Sequence, residues 1–180
     1  MRAVVGLGNP GPEYAATRHN AGFLLADAVA RHWSFPPFRR AERARATEGV
    51  LDGIPVRVLK PTTYMNRSGA ALASLRADPA FDPAKDLLIL VDDFAIPGGT
   101  FRVRPSGSAG GHNGLKSIEA ALQSQEYARL RVGVGPLPPE TTDWSEHVLA
   151  PFTPEELEQL DALMPELIAA VDTWVRQGAT

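Results

Sequence analysis

The 180-residue sequence contains no cysteine, which excludes disulfides, thiol nucleophiles, iron–sulfur clusters and cysteine-ligated zinc. It has no apolar run near the roughly 20 residues that cross a bilayer, so a membrane protein is not expected. The opening Met1-Arg2-Ala3-Val4-Val5-Gly6 turns to glycine too soon for a signal-peptide core, and a cytoplasmic location is expected. Aromatic residues make up only 7% of the chain, few for the stacking platforms of RNA-binding modules. Histidine occurs only four times, and it is the side chain best matched to general-base work near neutral pH.

What is present is ordinary for a soluble globular chain: 44% hydrophobic and 22% charged residues, enough for one domain spanning 1–180. Charge is unevenly placed. Residues 1–139 hold 17 Lys and Arg against 12 Asp and Glu, whereas residues 140–180 hold nine acids and one base, Arg176. A polyanionic partner would therefore meet the first part of the chain. Fifteen of the 18 bases are arginine, suited to bidentate phosphate contacts, although a GC-rich genome produces the same bias.

The apolar run from Ala3 to Leu7 ends in a glycine-proline turn and reads as a buried strand. Ala21 to Trp33 has helical periodicity. Residues 34–47, with the run Arg39-Arg40-Ala41-Glu42-Arg43-Ala44-Arg45, read as an exposed basic connection. Gly49 to Lys60 reads as a hairpin turning at Asp52-Gly53, and Asn66 or Ser68 is placed to cap a short helix through Leu75. Leu87 to Val91 is the strongest strand, apolar on both faces and hence central. Phe101 to Arg104 alternates as a half-exposed strand, Gly114 to Gln123 is helical, and Leu130 to Val134 is a further strand. Thr153 caps a final helix over about 153–176, with Pro154 at its first position and Pro165 as a possible kink. Alternating strands and helices imply an α/β domain with a twisted mixed, largely parallel sheet and helices on both faces.

Three stretches place polar residues where they are expensive. Gly6-Leu7-Gly8-Asn9-Pro10-Gly11 follows a strand and spells G-x-G-x-x-G. However, Pro10 and Pro12 remove N–H groups that a pyrophosphate would need, and Asp27 sits in a helix pattern, not at a strand end. Thr17-Arg18-His19-Asn20-Ala21-Gly22 puts His19 at the approach to the first helix, as a base or as a helix-entry packing residue. Asp92 and Asp93 end the most hydrophobic strand, where open α/β sheets place their sites, or they merely solvate a loop. A carboxylate there can fix an imidazole tautomer and leave the other ring nitrogen as base. Two further stretches, Lys60-Pro61-Thr62-Thr63-Tyr64-Met65-Asn66-Arg67-Ser68-Gly69 and Gly110-Gly111-His112-Asn113-Gly114-Leu115-Lys116, each offer an asparagine at a loop-to-helix junction. A side-chain amide there can both donate to and accept from a peptide.

With Tyr14, Pro97-Gly98-Gly99 and Arg129-Leu130-Arg131-Val132-Gly133-Val134-Gly135, these stretches run in the order found in bacterial-type peptidyl-tRNA hydrolases, and over about residues 3–135 the chain closely resembles that family. The resemblance implies hydrolysis of the ester joining a peptide to the 3′ end of tRNA, freeing tRNA after abortive translation, by a monomer without metal or cofactor. It implies His19 as catalytic base, Asp92 as its orienting acid and Asn9 as a third catalytic residue. Tyr14, Tyr64, Met65, Asn66, Gly110, His112 and Asn113 are implied at the substrate. Arg104 and Arg131 fall where the family clamps the tRNA 5′ phosphate, and Lys116 is expected as a further tRNA-phosphate contact. Asp93 stands where glutamate is common, the last forty residues are acidic without a lysine-rich tail, and residues 136–152 match only loosely.

No cysteine and no serine in a G-x-S-x-G elbow leave a covalent route without an obvious nucleophile, so water activated by His19 is the expected attacker. Whether Asn9 or Asn113 stabilises the oxyanion stays open. The rival functions are a non-catalytic tRNA-binding module and a hydrolase of other acyl esters.

Overall fold

The computed structural model describes residues 1–177; the last three residues of the expected 1–180 domain lie outside them. Seven strands form one sheet: β1 (Arg2–Gly6), β2 (Arg39–Ala41), β3 (Ala44–Leu51), β4 (Ile54–Pro61), β5 (Leu87–Pro97), β6 (Phe101–Arg104) and β7 (Ala128–Gly135). Their spatial order is β2-β3-β4-β1-β5-β7-β6. The four inner strands β4, β1, β5 and β7 are parallel, and both edges are antiparallel. The expected parallel character therefore holds for the centre of the sheet, with β1 in the middle position and β5 beside it.

The helices are α1 (Ala21–His32), α2 (Ala73–Arg76), α3 (Pro83–Asp86), α4 (Asn113–Leu122), α5 (Trp144–Leu149) and α6 (Pro154–Gln177), with 3₁₀ segments at Arg18–Asn20 and Met65–Leu72. No helix among the described residues is long and apolar enough to cross a membrane. Strand alternation sorts the core into two layers. Val4, Leu88, Leu90, Leu130 and Val132 pack with Leu25 and Val29 of α1 and with Leu167 and Val171 of α6. On the opposite face Val5, Ile89 and Val91 pack with Leu72, Leu75 of α2, and Leu115 and Ile118 of α4. Leu87 to Val91 are fully buried because β5 is covered on both faces, as parallel strands require.

Several local expectations are corrected. Residues 34–47 are not wholly a connection: Arg39–Ala41 and the start of Ala44–Leu51 pair as an antiparallel edge. Its alternation buries Ala44 and Ala46 and exposes Arg45, and exposed arginines are what a sheet edge tolerates. Charge had masked the period of two. The hairpin does turn at Asp52-Gly53, with Leu51 opposite Ile54. Neither Asn66 nor Ser68 caps the following helix; the 3₁₀ segment starts at Met65 behind Tyr64, and Ser68 Oγ donates back to the Met65 carbonyl. Asp92 and Asp93 do not end β5, which runs on to Pro97. They lie beyond Leu90, where pairing with β1 stops, so they mark the carboxyl end of β1 instead. Helix α6 opens with a reciprocal cap, Glu156 N–H to Thr153 Oγ1 at 3.2 Å and Thr153 N–H to Glu156 Oε1 at 2.8 Å. It continues through Pro165.

Candidate active site

The carboxyl end of β1 passes into the Gly6–Asn9 turn, and the 3₁₀ turn Arg18–Asn20 is folded back over it. Gly22 makes this close approach possible: a Cβ there would strike the carbonyl oxygens of Leu7 and Leu90. The start of α1 therefore rests directly on the end of β1 and on Leu90 of β5. Asn20 fastens the turn, its Oδ1 accepting from Asn9 N–H at 2.8 Å and its Nδ2 donating to the Asn9 carbonyl at 3.0 Å. Asn9 Oδ1 in turn accepts from Met65 N–H at 2.8 Å. That fixes the amide with its nitrogen as the remaining donor.

His19 and Asp92 meet in this frame. His19 Nδ1 lies 2.8 Å from Asp92 Oδ2, and the two residues are only 5% and 1% exposed. His112 Nε2 approaches the other oxygen, Oδ1, also at 2.8 Å. Burial works against the ionised form of Asp92, but the two imidazoles outweigh it and hold the carboxyl down to about 2. The ligand atoms of these three residues lie within 4.8 Å of one another, close enough for a cation. As folded, each ring nitrogen facing Asp92 is engaged with it in a hydrogen bond, so the group is built as a hydrogen-bonded chain.

The turn bearing His19 is held from the C-terminal side. Arg18 donates to Glu156 through Nε and Nη2, the shortest contact being 2.7 Å, and to the His147 carbonyl at 2.9 Å. Backbone bonds from Arg18 N–H to Ala150 O and from Phe152 N–H to Ala16 O close the seam. Burial raises the Glu156 carboxyl, and the Arg18 guanidinium and the Thr153 donors more than reverse it, leaving it below the ordinary carboxylate value. Part of the acidic C-terminal segment is thus spent on this turn.

Of the residues expected at the substrate, Tyr14 and Tyr64 meet edge to face, with centroids 6.4 Å apart. Tyr64 has φ of 65°, an uncommon conformation for an aromatic residue, and is 51% exposed. Asn66, Gly110 and Asn113 are exposed. Met65 is buried, its sulfur filling the space that a Cβ on Gly114 would need. Among the described residues, none beyond the chain neighbours lies within 4 Å of the Cβ positions of Gly110 and Gly111, so this loop is open on its outer side.

Arg104 and Arg131 lie on the β6–β7 edge, with Arg131 paired opposite Val91 of β5. Arg131 stands directly opposite Arg102, and Arg104 opposite Arg129. Cross-strand partners share a face, so four arginines project on one side. Arg131 bonds the Ser108 carbonyl at 2.9 Å and Asp93 Oδ2 at 3.4 Å; Arg104 is exposed and bonds only the adjacent Val103 carbonyl among the described residues. Arg129 is fully buried without a carboxylate, donating to the carbonyls of Ser108, Gln125 and Tyr127. Lys116 is exposed on α4. Sequence reading assigned no role to Arg102, Arg129 or Asn20. The strand register reveals the first two, whereas the clamp by Asn20 needs the folded turn.

The family model described as peptidyl-tRNA hydrolase matches residues 3–180. Among similar proteins, a peptidyl-tRNA hydrolase of Gemmatimonas aurantiaca is 43% identical over 99% of this chain and 95% of its own length. One from Gloeobacter violaceus is 44% identical over 99% of this chain and 89% of its own. The crystal structure of peptidyl-tRNA hydrolase from Acinetobacter baumannii superposes with a TM-score of 0.89 at 33% identity, covering 98% of this chain and 89% of that one.

Proposed function

This chain belongs to the peptidyl-tRNA hydrolase family, whose enzymes hydrolyse peptidyl-tRNA, and we propose that it does so by general-base activation of water at His19. The observation that carries the reading is the buried 2.8 Å contact between His19 Nδ1 and Asp92. With Nδ1–H donated to the carboxylate, His19 Nε2 is the nitrogen left to take a proton. It makes no hydrogen bond among the described residues.

In the proposed step Nε2 removes a proton from water as the water oxygen bonds to the ester carbonyl carbon. The carbonyl oxygen becomes an oxyanion, and Asp92 stabilises the imidazolium. Collapse breaks the bond to the ribose 3′ oxygen, which takes the proton back from His19. The products are a tRNA with a free 3′ hydroxyl and a peptide carboxylic acid, which releases the second water proton to solvent and leaves as the carboxylate. Asn9 is oriented for the oxyanion, because Met65 N–H occupies its amide oxygen and leaves the nitrogen to donate. Such a donor is worth about 3–4 kcal/mol where one has been removed elsewhere. Asn66 and Asn113, both exposed near the turn, hold the peptide amides, with Tyr14 and Tyr64 as an aromatic wall. An aminoacyl-tRNA with a free amino group presents a cation in place of the amide carbonyl and is spared.

The tRNA body is held at the β6–β7 edge. Arg104 and Arg131 take the 5′ phosphate, and with Arg102 on the same face and Asp93 as the bonded acid they favour an anion there. Lys116 adds charge from α4. The test is release of N-acetylamino acid from N-acetylaminoacyl-tRNA, in EDTA, by wild type and His19→Ala. Wild-type turnover that falls by about 10²–10⁴-fold in the variant supports the reading. Equal rates would overturn His19 as base, and turnover abolished by EDTA would overturn the metal-free route.

A further inference from the structure

Asp92 has two imidazole partners at equal distance, yet the mechanism uses only one. By the near nitrogens alone they are indistinguishable: His19 Nδ1 and His112 Nε2 each lie 2.8 Å from a carboxylate oxygen. The far nitrogens differ. His112 caps α4, and its Nδ1 faces the backbone N–H groups of Gly114 at 3.0 Å and Leu115 at 3.3 Å. A backbone N–H can only donate, so Nδ1 must offer its lone pair. The ring proton then sits on Nε2 and points at Asp92 Oδ1. A proton added at Nδ1 would displace both N–H contacts and face the positive end of a ten-residue helix.

Packing holds the ring in that pose. A side chain at Gly114 would collide with the His112 ring, the Met65 sulfur and Leu7, so the glycine leaves the space in which the imidazole lies. The two histidine rings are 5.1 Å apart and tilted at 45°. The surrounding charges are engaged elsewhere or point outward. On β5 Asp93 pairs with Arg131 on β7, and Arg18 beside His19 pairs with Glu156 on α6. Arg129 of β7 is taken by carbonyls, and Lys116 of α4 is exposed. In the 3₁₀ segment Met65–Leu72 the charged residue, Arg67, is exposed, and Met65, which carries no charge, packs beside Gly114.

We propose that His112 is a positioning residue that acts through Asp92: held as the Nε2–H tautomer, it fixes the carboxylate and shares its charge, moderating Asp92's pull on the proton that His19 carries. The proposal rests on the reading of His19 as base. It assigns His112 a task different from substrate contact. One imidazole exchanges protons, and the other is a fixed donor.

Two variants separate the halves of the ring. His112→Asn puts an amide oxygen where Nδ1 lies, keeping the helix cap and losing the donor to Asp92. His112→Gln puts an amide nitrogen where Nε2 lies, keeping the donor and losing the cap. Ring ¹⁵N NMR of the wild-type protein is expected to show the His112 proton on Nε2, with Nδ1 carrying the lone pair that meets the helix end. Profiles of kcat/KM on N-acetylaminoacyl-tRNA are expected to show the acidic limb of His112→Asn displaced upward by about half a unit or more, that of His112→Gln staying near wild type. A His112 ring carrying its proton on Nδ1 would overturn the proposal. So would variants that raise KM alone and leave the limb in place. An active His19→Ala enzyme would overturn both this proposal and the base reading, whereas a fixed limb with inactive His19→Ala would overturn this proposal alone.

Discussion

The end of β1 and the β6–β7 edge gather ionisable side chains in opposite ways. At the end of β1 one carboxylate is buried between two imidazoles and satisfied by both. On the edge four arginines share a face, with Asp93 as the acid bonded to one of them. The first cluster sets one acid between two imidazoles, whereas the second sets several guanidinium groups against one acid and a set of backbone carbonyls. Proton transfer needs a fixed geometry and few competing charges, while holding a polyanion needs charge left uncompensated. On this account the centre sets the rate of bond breaking and the edge sets which molecules are held.

The sharpest way to break that division is Asp92→Asn. The variant leaves His19 without a carboxylate to orient it, and kcat is expected to fall by about 10²–10⁴-fold with KM little changed. Steady-state kinetics on N-acetylaminoacyl-tRNA would contradict the account if KM rose and kcat held. Replacing Arg104 and Arg131 together with Ala is expected to do the converse. KM for full tRNA should rise by about tenfold or more, and the dependence of log(kcat/KM) on log[salt] should flatten by about one for each phosphate no longer held. An unchanged salt slope would remove the clamp from the edge.

A smaller effect sharpens the contrast through stability. The Asp92 carboxyl sits at about 2 in the fold against an ordinary 3.8. A lowered carboxyl contributes its full stabilisation above the unfolded value and loses it as pH falls through the folded one. Between about pH 4 and pH 2 the protein should therefore lose about 2 kcal/mol from this group. Denaturant midpoints measured across that window should fall more steeply for wild type than for Asp92→Asn. The smallest expected effect is that of Glu156→Gln, which weakens the hold on Arg18. It should cost about 1 kcal/mol and lower Tm by a few degrees, with a several-fold loss in kcat because the His19 turn loosens. A loss in KM alone would place that contact outside the catalytic turn.

Much of this was legible in the sequence because it depends on local pattern. The uninterrupted apolar run Leu87 to Val91 announces a strand covered on both sides, and Asp52-Gly53 between alternating residues announces its hairpin. His19, Asp92 and the three asparagines could be singled out because polar residues beside apolar runs and at loop-to-helix junctions are costly without a task. What was not legible depends on register and on distant segments. Arg39 to Arg45 reads as a charged connection until pairing with Ala44 to Ala46 reveals an edge. Alternation alone puts Arg102 and Arg104 on one face, but Arg129 and Arg131 join them only through cross-strand pairing. Glu156 is 138 residues from Arg18, so no local pattern in the acidic C-terminal stretch indicates that it holds the turn bearing His19. His112 was visible as a candidate, but its two faces, one to Asp92 and one to the helix end, exist only once α4 is placed.

The most direct test sets two variants against two substrates. His19→Ala and the Arg104→Ala, Arg131→Ala pair would each be assayed on full N-acetylaminoacyl-tRNA and on a short acylated 3′ fragment lacking the 5′ phosphate. The account predicts that His19→Ala loses kcat alike on both, and that the arginine pair loses kcat/KM on the full tRNA alone. Equal losses by the arginine pair on both substrates, or a His19→Ala defect confined to one of them, would contradict the separation of chemistry from anchoring.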